Sequence, residues 1–128
     1  MKTAQEIFDA VIRHLRKQGR RANDYSPIYS RYVCRYRGDN GTKCAVGCLI
    51  DDEHYNPACE GVSVGGGNAP ARVALHEALR ASGVDAVEHA SLLSSLQNFH
   101  DVGWSGSEIT DNQVSVLASY HGLVGPIP

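Results

Sequence analysis

Ile7, Phe8, Val11, Ile12 and Leu15 recur every three to four positions with polar residues between them, a spacing that predicts a helix with one buried face. Thr3-Ala4-Gln5-Glu6 ahead of them is a capping box, in which the Thr hydroxyl and the Glu carboxylate satisfy backbone N–H groups that a helix start leaves unpaired. Gly19 can take the left-handed conformation that ends the helix, and Arg13, Arg16 and Lys17 fall on its outward face. Three more helical segments follow in the second half of the chain. One opens near Pro70, carries Val73, Ala74, Leu75, Ala78 and Leu79 on its apolar face and stops at Gly83. The next takes Asp85 as its N-cap and turns Val87, Ala90, Leu92, Leu93, Leu96 and Phe99 inward. The last runs from Thr110 or Asp111 through Val114, Leu117 and Tyr120 to Gly122.

Between the first helix and the others the period changes. Residues 20–32 have none, and Asn23-Asp24 and Ser26-Pro27 mark them as a connecting segment. Tyr32-Val33-Cys34-Arg35-Tyr36-Arg37 alternates β-formers with polar residues and runs into Gly38-Asp39-Asn40-Gly41, so a hairpin is expected here with a short second arm from Thr42. Cys44 to Ile50 reads as a compact apolar turn or short helix inside the core, and Asp51 to Pro57 brings the chain back to the surface. Gly65-Gly66-Gly67 is a flexible loop; it lacks the Lys-Ser/Thr and the strand-to-helix context of a phosphate loop. The expected fold is α+β and mostly helical, about four helices with a short β-hairpin, in a single domain spanning 1–128.

Composition supports a folded chain and narrows its setting. Of 128 residues, 42% are apolar and 20% charged, which is globular rather than disordered usage. No apolar stretch approaches the roughly 20 residues of a membrane span, and the first six residues lack the apolar core of a signal peptide. A cytoplasmic location with reduced thiols is therefore expected. The net charge of −2 hides a split, because ten of the twelve Lys/Arg residues lie within 1–43 and ten of the fourteen acids within 44–128. Such a split offers a basic face to nucleic acid or to an acidic protein unless folding interleaves the halves.

Candidate chemistry is sparse. Cys34, Cys44, Cys48 and Cys59 are too unevenly spaced for a structural zinc frame; only Cys44 with Cys48, or either with His54, is close, and neither metal nor other cofactor is expected. A thiol nucleophile at Cys44 beside Lys43, with His100 as base and Asp101 as its orienting acid, is an alternative enzymatic reading, although adjacent residues of a regular helix point in different directions. Arg20, Arg21, Tyr25, Tyr29, Arg31, Arg35 and Arg37 interleave the two residue types enriched at interfaces and on nucleic-acid stacking surfaces, and form the candidate binding face.

Two stretches carry a resemblance. Tyr36-Arg37-Gly38 with Gly41-x-Lys43-Cys44-Ala45-Val46-Gly47-Cys48-Leu49-Ile50-x-Asp52 and, beyond it, Tyr55 and Glu60-Gly61, together with Leu92-Leu93-x-x-Leu96-Gln97-x-x-His100-Asp101 and Trp104, resemble a group of small proteins encoded by tailed bacteriophages and prophages. The resemblance covers about half the chain and implies a mobile-element origin with expression inside a bacterial host; it carries no activity with it. Small accessory proteins of this kind often bind and block a host machine, as anti-CRISPR and other anti-defence proteins do. The expectation is thus a non-enzymatic binding protein that inhibits or redirects a host defence or nucleic-acid complex. Its partner would be a host protein or ribonucleoprotein, with bare nucleic acid as the alternative and no membrane involved.

Overall fold

The computed structural model describes residues 1–26, 31–66, 69–104 and 108–125, and within them only the backbone of 23–26 and 31–34. Among the described residues, four α-helices organise the fold: α1 (Ala4–Gln18), α2 (Ala69–Ala81), α3 (Ala90–Asn98) and α4 (Asp111–Tyr120). Helix α1 starts and stops where its sequence dictates. Thr3 accepts from the Glu6 amide while Glu6 accepts from that of Thr3, and Gly19 closes the last turn at φ 70°. All five periodic apolar residues of α1 are fully buried. They meet Leu92, Leu93 and Leu96 of α3, Leu75, Ala78 and Leu79 of α2, Val114 and Ala118 of α4, and the buried run Cys44–Val46 with Leu49 and Ile50 in one core.

The expected α+β class with a hairpin is overturned; the fold is helical. Thr42 and Gly38 close the predicted turn, but past it only one bridge forms, between Arg37 and Lys43. The reason is competition for the pairing groups. The N–H groups of Tyr36 and Arg37 are both taken by the Glu60 carboxylate, at 3.0 Å each, and the N–H of Lys43 is taken by the Gln18 side chain at 2.8 Å. A ladder has nothing left to run on. The β-rich segment instead pairs backwards: β2 (Arg31–Cys34) lies antiparallel to β1 (Asn23–Ser26) as a four-residue ribbon, which forms no sheet layer.

Smaller departures have local causes. Asp85 does accept two amides, from Val87 and Glu88, but caps an isolated turn ahead of α3, so Val87 is exposed rather than inward. Val73 of α2 is exposed as well. Helix α4 opens with a second capping box, Thr110 with Gln113. Among the described residues no helix is long and apolar enough to cross a membrane.

Candidate functional site

Two of the residues named as candidate chemistry, Cys44 and Asp101, line one cleft, and His100 is buried beside Asp101. Helix α3 does not end in a regular turn but widens into a π-turn over Phe99–Gly103. The wider turn sets His100 and Asp101 side by side, with His100 Nδ1 2.7 Å from Asp101 Oδ1. A regular helix would have separated them, as the sequence implied. Asp101 also accepts from Gln97 at 2.8 Å, and Gln97 accepts from the Val46 amide at 3.1 Å, which ties the π-turn to the buried Cys44–Ile50 segment. Asp101, Gln97, Cys44, Tyr36, Glu60 and Arg35 line an open cleft of about 300 Å³.

Cys44, His100 and Asp101 are the residue types of a nucleophile, base and acid, yet each reactive atom is engaged or protonated. His100 is fully buried, and its Nε2 accepts the Ala22 amide at 3.0 Å. That bond fixes the tautomer, since an accepting Nε2 carries no proton and Nδ1 must donate to Asp101. A general base would need the same lone pair for its nucleophile. Cys44 sits 1% exposed with its Sγ accepting the Gly47 amide at 3.3 Å, and burial pushes its thiol well above the usual range. Burial likewise pushes Cys48 up to about 12 and Cys59 up to about 11. Raised in this way, the three thiols favour the protonated form, which is a poor nucleophile, at neutral pH. In the native protein, maleimide labelling near pH 8 followed by peptide mapping is therefore expected to modify Cys44, Cys48 and Cys59 far more slowly than in the urea-unfolded chain. Rapid labelling of Cys44 with an acid-shifted rate profile would contradict this assignment.

Glu60 organises the other wall. Its carboxylate receives the Tyr36 and Arg37 amides, accepts the Tyr55 hydroxyl at 2.7 Å and lies 3.7 Å from Arg35. The Tyr36 hydroxyl donates to the Val62 carbonyl, and burial raises its pKa further above the normal tyrosine range. Sequence reading noted Glu60 only within the resemblance motif, gave it no role, and singled out Arg35 beside it; the signal would have been an acid placed to reach the exposed amides of a segment rich in β-formers.

The candidate binding arginines are spread over internal contacts. Arg37 donates to the carbonyls of Gly47 (2.6 Å) and Ile50 (2.8 Å), pairs with Asp52 at 3.1 Å and stacks 4.7 Å over the Tyr55 ring. Arg21 donates to the Trp104 carbonyl, and Arg20 pairs with Asp39 at 3.1 Å. The side chains of Tyr25 and Arg31, and all of Tyr29, lie outside the described residues, as does the side chain of Cys34. Ion pairs Arg16–Asp111, Arg35–Glu60, Arg37–Asp52 and Lys43–Asp52 join the basic and acidic halves, so folding interleaves much of the charge split. His54 stands not with Cys44 or Cys48 but with Asp51 and Glu53, all exposed, their ligand atoms within 4.8 Å of one another. No protein-family model, curated protein or solved structure matches this chain.

Proposed function

We propose that this chain is a non-enzymatic binding protein, of phage or mobile-element origin, that inhibits or redirects a host defence or nucleic-acid complex. The observation that supports the reading is the chemistry of the cleft. The Cys44 thiol that lines it is held protonated and the His100 imidazole buried beside Asp101 has spent its lone pair on a backbone amide, so the residues that would make an enzyme act as scaffolding. The thiol-enzyme alternative needs both of those atoms released at once, and nothing in the hydrogen bonding favours that. The origin rests on the resemblance of the Tyr36–Asp52 and Leu92–Asp101 motifs alone.

Affinity capture with the tagged full chain from a bacterial host extract, followed by mass spectrometry, is expected to recover one partner in stoichiometric amount. That partner should survive substitution of Cys44 by alanine. A failure to retain any partner, or a turnover activity abolished by the same substitution, would refute the binding reading.

A further inference from the structure

Helix α1 shows one face that the internal ion pairing leaves open. Arg13 and Lys17 stand one turn apart on it, both exposed, and neither pairs with an acid among the described residues. At 1.5 Å of rise per residue their Cα atoms are separated by about 6 Å along the axis, a span of roughly two phosphates of a nucleic-acid strand. Beside Lys17 the chain returns as the Gly38–Lys43 turn, and α1 holds that return by its backbone. Gln18 accepts the Lys43 amide at 2.8 Å and donates to the Lys43 carbonyl at 3.0 Å, and His14 Nε2–H donates to the same carbonyl at 2.9 Å. Three hydrogen bonds from α1 thus fix a sequence-distant lysine next to Lys17. The result is an open groove of about 460 Å³ lined by Lys17 and Lys43, with His14 and Gln18 between them and no carboxylate in its lining. In a chain of net charge −2 that is a local reversal of sign.

We infer that the α1 groove between Lys17 and Lys43, extended by Arg13, is a binding site for the phosphodiester backbone of nucleic acid. Direct readout of bases is not built into it, since it presents cationic points and an amide but no aromatic platform; it recognises phosphate. Lys43 presently rests on Asp52 at 3.0 Å. Asp52 is 78% exposed, and pairs of that kind contribute little to stability, so Lys43 can turn to a phosphate at small cost. Burial first, and the nearby Lys43 charge in addition, lower the pKa of His14, so this part of the groove wall favours the neutral, hydrogen-bonding imidazole.

This inference rests on the binding-protein reading and gives it a ligand chemistry. Fluorescence anisotropy of the full chain with a labelled oligothymidylate, and with a short duplex of arbitrary sequence, tests it across a salt series. Binding to one or both is expected, weakening steeply with salt; the arm that binds more tightly identifies the strand form. Arg13→Gln with Lys17→Gln should weaken binding by about tenfold or more and reduce the log–log salt slope by roughly 0.7 to 0.9 for each phosphate left without its cation. The same charge removal on α2, Arg72→Gln with Arg80→Gln, should leave affinity within about threefold, because only the non-local field changes. All four positions are at least partly exposed, so the variants are expected to fold. Absence of salt-sensitive binding to both probes overturns the site, and so does an equal loss in the α2 variant. If neither probe binds while a host partner is still captured, the groove assignment fails and the binding reading stands. If the probes bind and no partner is captured, the reverse holds.

Discussion

Replacing Glu60 by alanine is expected to destabilise the fold by about 3 to 5 kcal/mol, lowering the thermal midpoint by roughly 10 °C or more. The side chain is only 11% exposed, and its two oxygens tie down two separate pieces of chain: residues 35–37, through the Tyr36 and Arg37 amides and, more loosely, the Arg35 guanidinium, and Tyr55 through its hydroxyl. Removing it leaves two backbone donors without acceptors in a crowded environment, each costing about 1 to 3 kcal/mol, and frees Arg35 as an unpaired cation. Glu60→Gln is the informative companion. It keeps one acceptor oxygen and places an amide NH2 against the other backbone N–H, so it should recover only part of the loss. Urea unfolding of both variants decides the matter. A loss under about 1 kcal/mol for Glu60→Ala would mean that water replaces the carboxylate and that the wall of the cleft is not built on it.

The parts of this protein that could be read in advance are those whose information is local. Thr3, Glu6, the i, i+3, i+4 apolar series and Gly19 together specify α1 within one short stretch of chain, and the structure follows them closely. The buried Cys44–Ile50 segment was legible for the same reason: few polar groups interrupt it. What escaped was decided by side chains far along the chain. Nothing within Tyr32–Lys43 reveals that Glu60 and Gln18 will take the amides a hairpin needs, and without that knowledge alternating β-formers followed by Gly-Asp-Asn-Gly point to a hairpin. The His100–Asp101 pairing was named but discounted because helical geometry was assumed through the end of α3, where the backbone widens into a π-turn instead. The basic residues were visible from composition, but which would be consumed depended on partners such as Trp104, Asp52 and Asp111, 15 to 95 residues away. Arg13 and Lys17, noted only as part of an outward face, are left without an acid partner among the described residues.

Gly47→Ala is expected to cost about 4 kcal/mol or more, a loss at the upper end of what single substitutions produce. Gly47 lies in the short 3-10 turn Gly47–Leu49, and the backbone of Tyr36 crosses directly over it. A Cβ added there would overlap the Tyr36 carbonyl oxygen and stand 2.8 Å from its carbon and 2.9 Å from its Cα. All three are backbone atoms, so no rotamer change can relieve the overlap. Neither strand of chain is free to retreat. Tyr36 is held by Glu60 through its amide and by Val62 through its hydroxyl, while Gly47 is held by the Cys44 thiol, the Arg37 guanidinium and the Ile50 amide. This is the physical demand behind the Gly in Cys44-Ala45-Val46-Gly47-Cys48, and it is a demand for space, not for backbone freedom. Gly19→Ala separates the two causes, because Gly19 has φ 70° and no atom within 4 Å of its missing Cβ. Its cost is the left-handed backbone alone, about 1 to 2 kcal/mol. Chemical denaturation of the two variants should therefore rank Gly47→Ala well below Gly19→Ala in stability, with loss of the cooperative transition an acceptable form of the result for Gly47→Ala only. Equal costs, or the opposite order, would show that the Tyr36 backbone does not press on the Gly47 turn.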